Sequence, residues 1–301
     1  MNHHSTMTQA AEDRPKFGFT TAELATLPTV YRDDLLAGQV MLVSGGGSGI
    51  GKGIAFLAAR LGAQLVLCGR TEDKLVNTAD AIEEATGRRP MHMAMSIRDD
   101  DAVDRLFDAI EDRFGGIDHL VNNAGGQFPQ DAVNMSRKGW RSVIDLNLNG
   151  TWWMMQTAAQ RWRRAERGGS IVNIVAHVER GMPQVAHTCA ARAGVIYLSK
   201  TVSTEWAPLG IRVNCVAPGV IESEGFHVYS DEALARFHDA NPMKRRGDVW
   251  DVAESVIYLT AASGKFVTGE TIVVDGGMAQ IGVVWPGGRP DYFGGTKPNG
   301  I

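Results

Sequence analysis

Residues 40–51 read VMLVSGGGSGIG, and this stretch decides the fold. The four apolar residues at its start are enough for a buried strand and too few for a helix. A glycine-rich turn follows at once, and the apolar spacing over 50–61 predicts a helix directly after it. A strand, a glycine turn and a helix in this order present backbone N–H groups at a helix N-terminus, where a pyrophosphate binds. The stretch therefore predicts a dinucleotide-binding turn, with a flexible loop as the alternative.

Beyond this turn, short apolar runs alternate with longer amphipathic stretches. The sequence predicts strands at 40–43, 64–68, 91–95, 117–121, 171–175, 211–216 and 271–274, and helices at 50–61, 72–86, 100–114, within 135–167 and at 187–206. Strands that are apolar throughout are typical of parallel sheets covered by helices on both faces. The predicted fold class is α/β, a single doubly wound parallel sheet of Rossmann type flanked by helices.

This sheet domain is assigned to residues 39–280, and the chain on either side of it has a different character. Residues 1–38 are polar and are predicted to be an N-terminal extension that lies against the core. Residues 220–245 are predicted to form a lid beside the ligand crevice, with a short amphipathic helix at 231–240. The glycine-rich residues 281–301 are predicted to be an irregular tail.

The composition excludes several classes of function. The chain has 30 basic and 34 acidic residues, and a net charge of −4 gives no general attraction to nucleic acid or to an anionic membrane. No apolar run is long enough for a membrane span. Neither a signal peptide nor a peroxisomal C-terminal address is predicted, so a soluble, cytoplasmic protein is expected. The 3 cysteines lie far apart, which predicts neither disulfides nor a metal site.

The second predicted strand runs into Arg70, where NAD-binding sheets commonly place an acidic residue on the adenosine ribose 2′-hydroxyl. The preceding Gly69 leaves room, and a guanidinium pairs well with a 2′-phosphate through its planar fork. The sequence therefore favours NADP(H) over NAD(H). A surface arginine that happens to end a strand is the alternative.

Several further segments carry a recognisable pattern. They are NNAGG at 122–126, DLNLNG at 145–150, GGSIVNI at 168–174, GIRVNCVAPG at 210–219 and FVTGETIVVDGG at 266–277. Together with the glycine turn, they resemble the short-chain dehydrogenase/reductase superfamily. The resemblance implies a nicotinamide cofactor and a homotetramer. It also implies a cofactor site lined by Gly45, Ser48, Gly49, Ile50, Gly51, Arg70, Ser96, Ile97, Asn123, Ala124, Gly125, Arg192, Pro218, Gly219 and Ile221, with Ser96 standing where the family usually has an acid.

The residues that this superfamily uses on alcohols and ketones are mostly replaced. Its members combine a serine with a tyrosine and a lysine spaced as YxxxK, and the tyrosine donates the proton. Here Thr188 and Arg192 stand at the tyrosine and lysine positions, Ala176 stands at the serine position, and Asn147 is retained. A threonine is a poor acid near neutral pH, whereas an arginine stays charged and can still donate hydrogen bonds. Ordinary carbonyl reduction is therefore not expected.

Hydride addition to an α,β-unsaturated thioester makes a different demand. Negative charge develops on the thioester oxygen as an enolate, which needs hydrogen-bond donors in a pocket that excludes water. The segments NNAGGQF, SRKGW and AHTCAARAGV resemble the peroxisomal-type trans-2-enoyl-CoA reductases and the related 2,4-dienoyl-CoA reductases, both of which lack the YxxxK tyrosine. The resemblance implies NADPH-dependent reduction of the C2=C3 bond of an enoyl thioester, with an acyl-CoA as substrate.

Two histidines are candidates for proton transfer or substrate contact. The dienoyl-CoA reductases have a tyrosine just after strand five, where this chain has His177, and an imidazole suits general acid catalysis. A solvated loop histidine is the alternative. His187 matches a histidine of the enoyl-CoA reductases and is assigned either to substrate contact or to packing. The predicted catalytic residues are Asn147, Thr188, Arg192 and His177.

Other features bear on the substrate and on assembly. Phe128, after NNAGG, is expected to point into the crevice, and the lid residues Phe226, His227 and Tyr229 are expected either to contact an acyl chain or to pack within the lid. Basic clusters at 161–167 and 244–246 are candidates for the phosphates of coenzyme A; complementing a helix dipole is the alternative for the first. The apolar helices around 152–153 and 195–206 predict an oligomer.

Two other functions remain open on the sequence. One is an atypical alcohol or carbonyl oxidoreductase of the same superfamily, acting for example on a terpenoid or a steroid. The other is a catalytically silent dinucleotide-binding protein. The lost tyrosine argues against the first, and the retained Asn147 and Arg192 argue against the second.

Overall fold

The structure is a computed structural model that describes residues 17–228, 231 and 237–280. The strands are β1 (Val40–Ser44), β2 (Gln64–Gly69), β3 (Met91–Ala94), β4 (His119–Asn122), β5 (Gly169–Ile174), β6 (Ile211–Pro218), β7 (Ile221–Glu222), β8 (Gly247–Asp248) and β9 (Thr271–Val274). The helices are α1 (Thr21–Thr26), α2 (Gly49–Arg60), α3 (Glu72–Thr86), α4 (Asp100–Phe114), α5 (Arg137–Ile144), α6 (Gly150–Arg164), α7 (Ala186–Trp206) and α8 (Val249–Thr260). Short 3₁₀ turns lie at Ala132–Asn134, Ala207–Leu209, Glu224–Val228, Phe237–Ala240, Ala262–Gly264 and Met278–Gln280.

Seven of the strands form one sheet in the order β3-β2-β1-β4-β5-β6-β9, and every neighbouring pair is parallel. The remaining two, β7 and β8, form a separate two-stranded ladder. The strand order reverses between β1 and β4, and ligands of open parallel sheets bind outside the carboxyl ends of the strands at such a reversal. The predicted α/β fold with a doubly wound parallel sheet is confirmed.

Apolar side chains fill both faces of this sheet. On one face, α2 and α8 pack around Phe56 and Val256, which are fully buried. On the other face, α4, α6 and α7 pack around Phe107 and Trp162. The strands are therefore covered on both sides, which is why their sequences are apolar throughout and do not alternate with polar residues.

The structure differs from the sequence-based prediction in several elements, of which α1, β7 and β8 are short and were not predicted. The segment predicted to hold one or two helices is a continuous helical stretch, in which a π-helical segment, Asp145–Asn149, joins α5 to α6. Helix α8 was not predicted. Its start has a sequence signal, because the Asp248 carboxylate accepts the N–H groups of Trp250 and Asp251 at 2.8 and 2.9 Å, and Asp251 completes a capping box.

Residues 17–38, which we call the N-terminal arm, pack on α2 and α8. The indole N–H of Trp250 donates to the Pro28 carbonyl at 3.0 Å, and the Tyr31 hydroxyl donates to the Glu254 carbonyl at 3.0 Å. The guanidinium of Arg60 on α2 donates to the Leu27 carbonyl at 2.7 Å. The arm is therefore tied to the helical layer by specific hydrogen bonds along its length.

A buried histidine at the amino-terminal edge of the sheet makes the fold sensitive to acid. The Nδ1 atom of His119 lies 2.7 Å from the Ser170 hydroxyl, and its Nε2 atom is hydrogen-bonded to the Gln39 side chain. Burial is the main reason that the pKa of His119 falls from 6.5 to about 4, with Arg212 adding to the effect and Asp118 opposing it. Between pH 6.5 and about pH 4, His119 therefore binds a proton in the unfolded chain but not in the folded chain.

We expect the free energy of unfolding to fall as the pH drops from 6.5 towards 4, with His119 responsible for about 3 kcal/mol of that fall. The variant His119→Gln lacks this proton and should show a flatter dependence over the same interval. Urea unfolding of both proteins at pH 7, 5.5 and 4.5 measures the difference. Parallel curves for the two proteins would contradict this account of His119.

Candidate active site

The glycine turn after β1 leaves room for a ligand only because side chains are absent. Gly45 has a φ of +69°, and a Cβ atom there would lie 2.8 Å from Asn123 Nδ2 and 3.0 Å from Ala124 Cα. A Cβ atom at Gly51 would overlap the Gly45 carbonyl. Two backbone segments therefore approach closely at the N-terminus of α2, which is the cradle that a pyrophosphate requires.

Ser44, at the end of β1, ties this turn to the loop after β4. Its Oγ atom accepts the backbone N–H groups of Asn123 and Ala124 at 3.1 and 3.0 Å. In return, Asn123 Nδ2 donates to the carbonyls of Ser44 and Gly45 at 3.1 and 3.2 Å. The two loops on either side of the strand reversal are thereby held as one unit.

Asn147 fixes the next residues of the same loop. It is fully buried in the π-helical segment, its Oδ1 atom accepts the Gly126 N–H at 3.0 Å, and its Nδ2 atom donates to the Gly126 carbonyl at 3.0 Å. A π-helical turn often marks a functional site. Because both ends of its amide group are committed to Gly126, Asn147 acts here as a positioning residue of the loop.

A first cavity, of about 240 Å³, opens beside the glycine turn. Its lining includes eight of the predicted cofactor residues, namely Gly45, Ser48, Arg70, Ser96, Ile97, Asn123, Ala124 and Gly125. It also includes Lys74, which the sequence analysis missed. Lys74 lies four residues after Arg70, in the first turn of α3. The helix dipole disfavours a cation at that position, so a lysine there is the sequence signal that could have identified a phosphate contact. In the described part of the chain, neither cation forms an ion pair.

A second cavity, of about 250 Å³, lies on the other side of the NNAGG loop. It is lined by Ile50, Asn123, Gly125, Gly126, Gln127, Asn147, Ile174, Val175, Ala176, Thr188, Arg192, Pro218 and Gly219. The structure therefore brings together three of the four predicted catalytic residues with Ile50, Pro218 and Gly219 of the predicted cofactor site. His177 is not among the lining residues.

Arg192 is a buried cation that lines this second cavity. Its Nη1 atom donates to the Ile174 carbonyl at 2.8 Å, and its Nη2 atom lies so close to Gly125 that a Cβ atom there would overlap it. In the part of the chain that the structure describes, no carboxylate pairs with it. Burial lowers the pKa of Arg192 to about 10, so the guanidinium remains charged at neutral pH. A desolvated charge of this kind strongly favours an anionic group in the cavity.

The two candidate histidines are both buried, and the Nε2 atom of each lacks a hydrogen-bond partner in the described residues. His187 accepts the Thr188 backbone N–H on Nδ1 at 2.8 Å, so its neutral ring carries the proton on Nε2. The ring of Phe128 meets it edge to face with centroids 4.7 Å apart. His177 follows the cavity residue Ala176 directly. Neither histidine is the solvated loop residue considered as an alternative.

Several predicted residues lie elsewhere or serve another role. Ile221 lines a separate cavity of about 420 Å³ between the β7–β8 ladder and β9. Gly49 and Gly51 shape the turn but line neither of the first two cavities. Phe226 packs against other phenylalanines, as the lid-packing alternative expected. The side chain of His227 lies outside the described residues, as do Tyr229 and residues 232–236, which are half of the predicted helix at 231–240.

The two basic clusters proposed for coenzyme A are largely engaged with carboxylates. Arg161 pairs with Asp108 and Glu111, both at 2.7 Å. In the second cluster, Lys244 pairs with Asp239 at 3.2 Å, Arg245 with Asp251 at 2.7 Å, and Arg246 with Glu222 at 2.9 Å. The second cluster is therefore not a set of unpaired cations. In the first cluster, Arg167 also pairs with Asp118 at 2.6 Å, whereas Arg163 and Arg164 are exposed and have no ion-pair partner in the described residues.

Within the described residues, no tyrosine or lysine lines the second cavity. Tyr31 is bound to α8, and Tyr197 on α7 is 74% exposed. The same residues contain no group of three or more histidine, cysteine, aspartate or glutamate side chains able to hold a metal ion. No described helix is long and apolar enough to cross a membrane.

Comparison with known proteins places these features in context. The profile of a family described as "Enoyl-(Acyl carrier protein) reductase" matches residues 45–279. A peroxisomal 2,4-dienoyl-CoA reductase of Danio rerio is 34% identical over 253 residues, which cover 82% of this chain and 84% of that protein. A probable 2,4-dienoyl-CoA reductase of Bacillus subtilis (strain 168) is 34% identical over 245 residues, 80% of this chain and 96% of that protein.

A solved structure gives the same result at the level of the fold. A citronellol catabolism dehydrogenase of Pseudomonas aeruginosa PAO1 superposes with a TM-score of 0.75 at 39% identity. The match covers 84% of this chain and 99% of that one. The chain therefore spans nearly the whole of the proteins that it resembles.

Proposed function

The chain belongs to the short-chain dehydrogenase/reductase superfamily of oxidoreductases, and on that premise we propose that it reduces the C2=C3 double bond of an enoyl thioester, such as a trans-2-enoyl-CoA, with NADPH. The observation that carries this proposal is the second cavity, which holds Thr188 and the buried Arg192 guanidinium where related alcohol dehydrogenases hold a phenol and a lysine. No carboxylate of the described residues pairs with that guanidinium. The dienoyl-CoA reductases among the relatives support the substrate class.

The first cavity suits a dinucleotide that carries a 2′-phosphate. The glycine cradle would hold the pyrophosphate, and Arg70 and Lys74, which lack ion-pair partners in the described residues, would hold the 2′-phosphate. Pro218 and Gly219 would border the nicotinamide end in the second cavity. The chemistry that bound NADPH supplies is the hydride that adds to Cβ of the substrate.

Arg192 and Thr188 are placed to stabilise the charge that this addition creates. They lie four residues apart on α7, hence on one face of the helix, and both line the second cavity. The guanidinium stabilises the enolate oxygen because the charge on that oxygen grows as the reaction proceeds. The Thr188 hydroxyl provides a second donor to the same oxygen. No acid is needed on the oxygen itself, because the thioester carbonyl is restored at the end.

The Cα atom must then receive a proton, and we assign this step to His177. Its side chain is 8% exposed, its Nε2 atom has no partner in the described residues, and it follows a residue of the cavity wall. An imidazole is an effective proton donor near neutral pH. His187 is assigned to packing against Phe128 and to positioning Thr188 through the hydrogen bond at Nδ1.

Coenzyme A phosphates have a candidate contact at the N-terminus of α5. Its first turn contains Arg137 and Lys138 and no acidic residue, an arrangement that the helix dipole disfavours. Neither cation forms an ion pair in the described part of the chain. The Phe128 ring packs against this turn, since a Cβ atom at Gly139 would lie 3.0 Å from its Cζ atom. The same ring contacts His187, the neighbour of the cavity residue Thr188. We place the coenzyme A phosphates at these two cations because Phe128 links their turn to the helix that carries Thr188 and Arg192.

The double variant Arg137→Gln/Lys138→Gln should raise the KM for an enoyl-CoA about 30-fold, since each of the two lost charges contributes on the order of 1 kcal/mol to phosphate binding. The KM for the matching N-acetylcysteamine thioester, which has no phosphates, should stay within about 2-fold. Steady-state kinetics with both substrates measures the contrast. The exposed pair Arg163→Gln/Arg164→Gln is the matched control. Equal changes for the two substrates would show that this turn does not contact coenzyme A.

Oxidation of a terpenoid alcohol is the second candidate function, and the name of the citronellol catabolism dehydrogenase favours it. The two functions differ in the bond that reacts. Turnover of crotonyl-CoA or 2,4-hexadienoyl-CoA with NADPH, followed at the nicotinamide absorbance, supports the proposal. Oxidation of citronellol with NADP⁺ and no reaction with the thioesters would replace it. Tight NADPH binding without turnover of either class would indicate a silent dinucleotide-binding protein.

A further inference from the structure

The N-terminal arm contacts the segment after β6 at its first described residues. Phe17 is 7% exposed, and its ring packs against that of Phe226 with centroids 5.8 Å apart. Phe226 in turn meets Phe237 edge to face at 5.4 Å. These three rings, which we call the phenylalanine cluster, join the arm to a segment more than 200 residues further along the chain.

Polar contacts beside the cluster hold the same two segments together. The Gly18 N–H donates to Oε1 of Glu222 on β7 at 3.3 Å, and Oε2 of Glu222 accepts from Arg246 at 2.9 Å. The guanidinium of Arg246 also lies over the Phe226 ring, 5.8 Å from its centroid. The arm is therefore hydrogen-bonded to β7, and the same Glu222 side chain is bound to Arg246, the residue before β8.

The segment that the arm holds lies directly against the dinucleotide turn. Residues 220–228, the closing segment, follow Pro218 and Gly219 of the second cavity. Within it, Ser223 stands between the arm and the turn: a Cβ atom at Gly18 would lie 3.5 Å from Ser223 Cα, and one at Gly49 would lie 3.6 Å from Ser223 Cβ. A shift of the closing segment would therefore change the packing over the N-terminus of α2.

The remainder of the arm is anchored to a rigid layer. Hydrogen bonds from Trp250, Tyr31 and Arg60 fix it to α2 and α8, as described above. The helix whose N-terminus faces the pyrophosphate cradle is thus the same helix on which the arm rests. The arm connects that helix to the closing segment from outside the sheet.

We propose that the N-terminal arm is a part of the dinucleotide site, in which Phe17 is a positioning residue that holds the closing segment against the glycine turn and so slows the release of the cofactor. This inference rests on the dinucleotide site of the superfamily and not on the enoyl thioester as substrate. It holds equally if the substrate is an alcohol.

The test is the binding of NADPH and NADH to the full chain, followed by the fluorescence of the bound nicotinamide. Phe17→Ala should raise the dissociation rate and Kd of NADPH about 10-fold, and kcat at saturating NADPH should change less than 2-fold. Phe17→Leu, which keeps an apolar side chain, should stay within about 3-fold of the wild type. Val30→Ala, a change at a 90% exposed position of the same arm, is the control and should have no effect.

A double-mutant cycle separates this role from a general loss of stability. If Phe17 acts through the cluster, Phe226→Ala should raise Kd by a similar factor, and the double variant should be no weaker than either single variant. Glu222→Ala provides an independent variant of the same contact should Phe17→Ala not fold, and it should raise Kd in the same direction. An unchanged Kd in the folded variants, or factors that multiply in the double variant, would overturn the proposal.

Discussion

Replacement of Arg192 by methionine should lower kcat/KM for a trans-2-enoyl-CoA about 10³-fold, which corresponds to about 4 kcal/mol of transition-state stabilisation. The guanidinium is buried, its Nη1 atom is held by the Ile174 carbonyl, and it has no carboxylate partner in the described residues. Its charge is therefore available to the enolate oxygen in a site of low dielectric. Methionine fills a similar volume but donates no hydrogen bond.

The conservative variant Arg192→Lys distinguishes charge from shape. It should retain more activity than the methionine variant, because an ammonium can still stabilise the oxyanion. As the pH rises, however, the activity of the lysine variant should decline at a lower pH than the activity of the wild type does. Burial lowers the pKa of Arg192 only to about 10, whereas the same burial acts on a lysine whose pKa starts near 10.4. The pH profiles of kcat/KM for the two proteins, from pH 6 to pH 10, measure this shift.

Binding of NADPH, followed by fluorescence, controls for misfolding of the Arg192 variants. The account requires that the methionine variant still binds NADPH within about 10-fold of the wild type. If that variant binds the cofactor and also keeps more than a tenth of wild-type kcat/KM, Arg192 does not stabilise the enolate.

Replacement of Arg70 by aspartate should reverse the cofactor preference, changing the ratio of kcat/KM for NADPH over NADH by about 10³-fold. The guanidinium lines the first cavity beside Lys74, and neither residue has an ion-pair partner in the described chain. A charge-assisted bond to the 2′-phosphate is lost, a carboxylate repels that phosphate, and the same carboxylate accepts from the 2′-hydroxyl of NADH.

Matched variants test whether the cations of the first cavity bind the 2′-phosphate of NADP(H). Lys74→Gln should shift the same ratio in the same direction but by less, about 10-fold, since one cation remains. Arg105→Gln, on the exposed face of α4, is the control and should leave the ratio unchanged. An unaltered preference in Arg70→Asp would remove the argument for NADP(H), and NAD(H) would then be the proposed cofactor.

The parts of the fold that were predicted depend on local patterns. The strands show the apolar runs that any buried parallel sheet requires, and the glycine turn stands directly after the first of them. The resemblance supplied part of the lining of both cavities, although not Lys74. The predicted boundaries mostly fall within two residues of the observed ones, as for β4 (His119–Asn122), which was predicted at 117–121. Helix α8 (Val249–Thr260) was not predicted, although the residues of its capping box, Asp248 and Asp251, stand in the sequence.

What the sequence could not provide are contacts between distant residues. The pairing of Arg161 with Asp108 and Glu111 removes one cation from a cluster that the sequence offered for phosphates, and nothing within the cluster's own sequence indicates those partners. The commitment of the Asn147 amide to Gly126 is equally a product of the fold. The association of Phe17 with Phe226 spans most of the chain and has no local signature. The homotetramer and the cytoplasmic location remain predictions.

The bond that receives the hydride is the central claim, and isotope transfer tests it most directly. The protein is incubated with NADPH carrying deuterium at C4 and with trans-2-hexenoyl-CoA, and the product is examined by NMR and mass spectrometry. The account predicts a saturated hexanoyl thioester with one deuterium at C3 and a solvent proton at C2. A thioester that returns unlabelled, from a protein that transfers deuterium to the carbonyl carbon of citronellal, would contradict it.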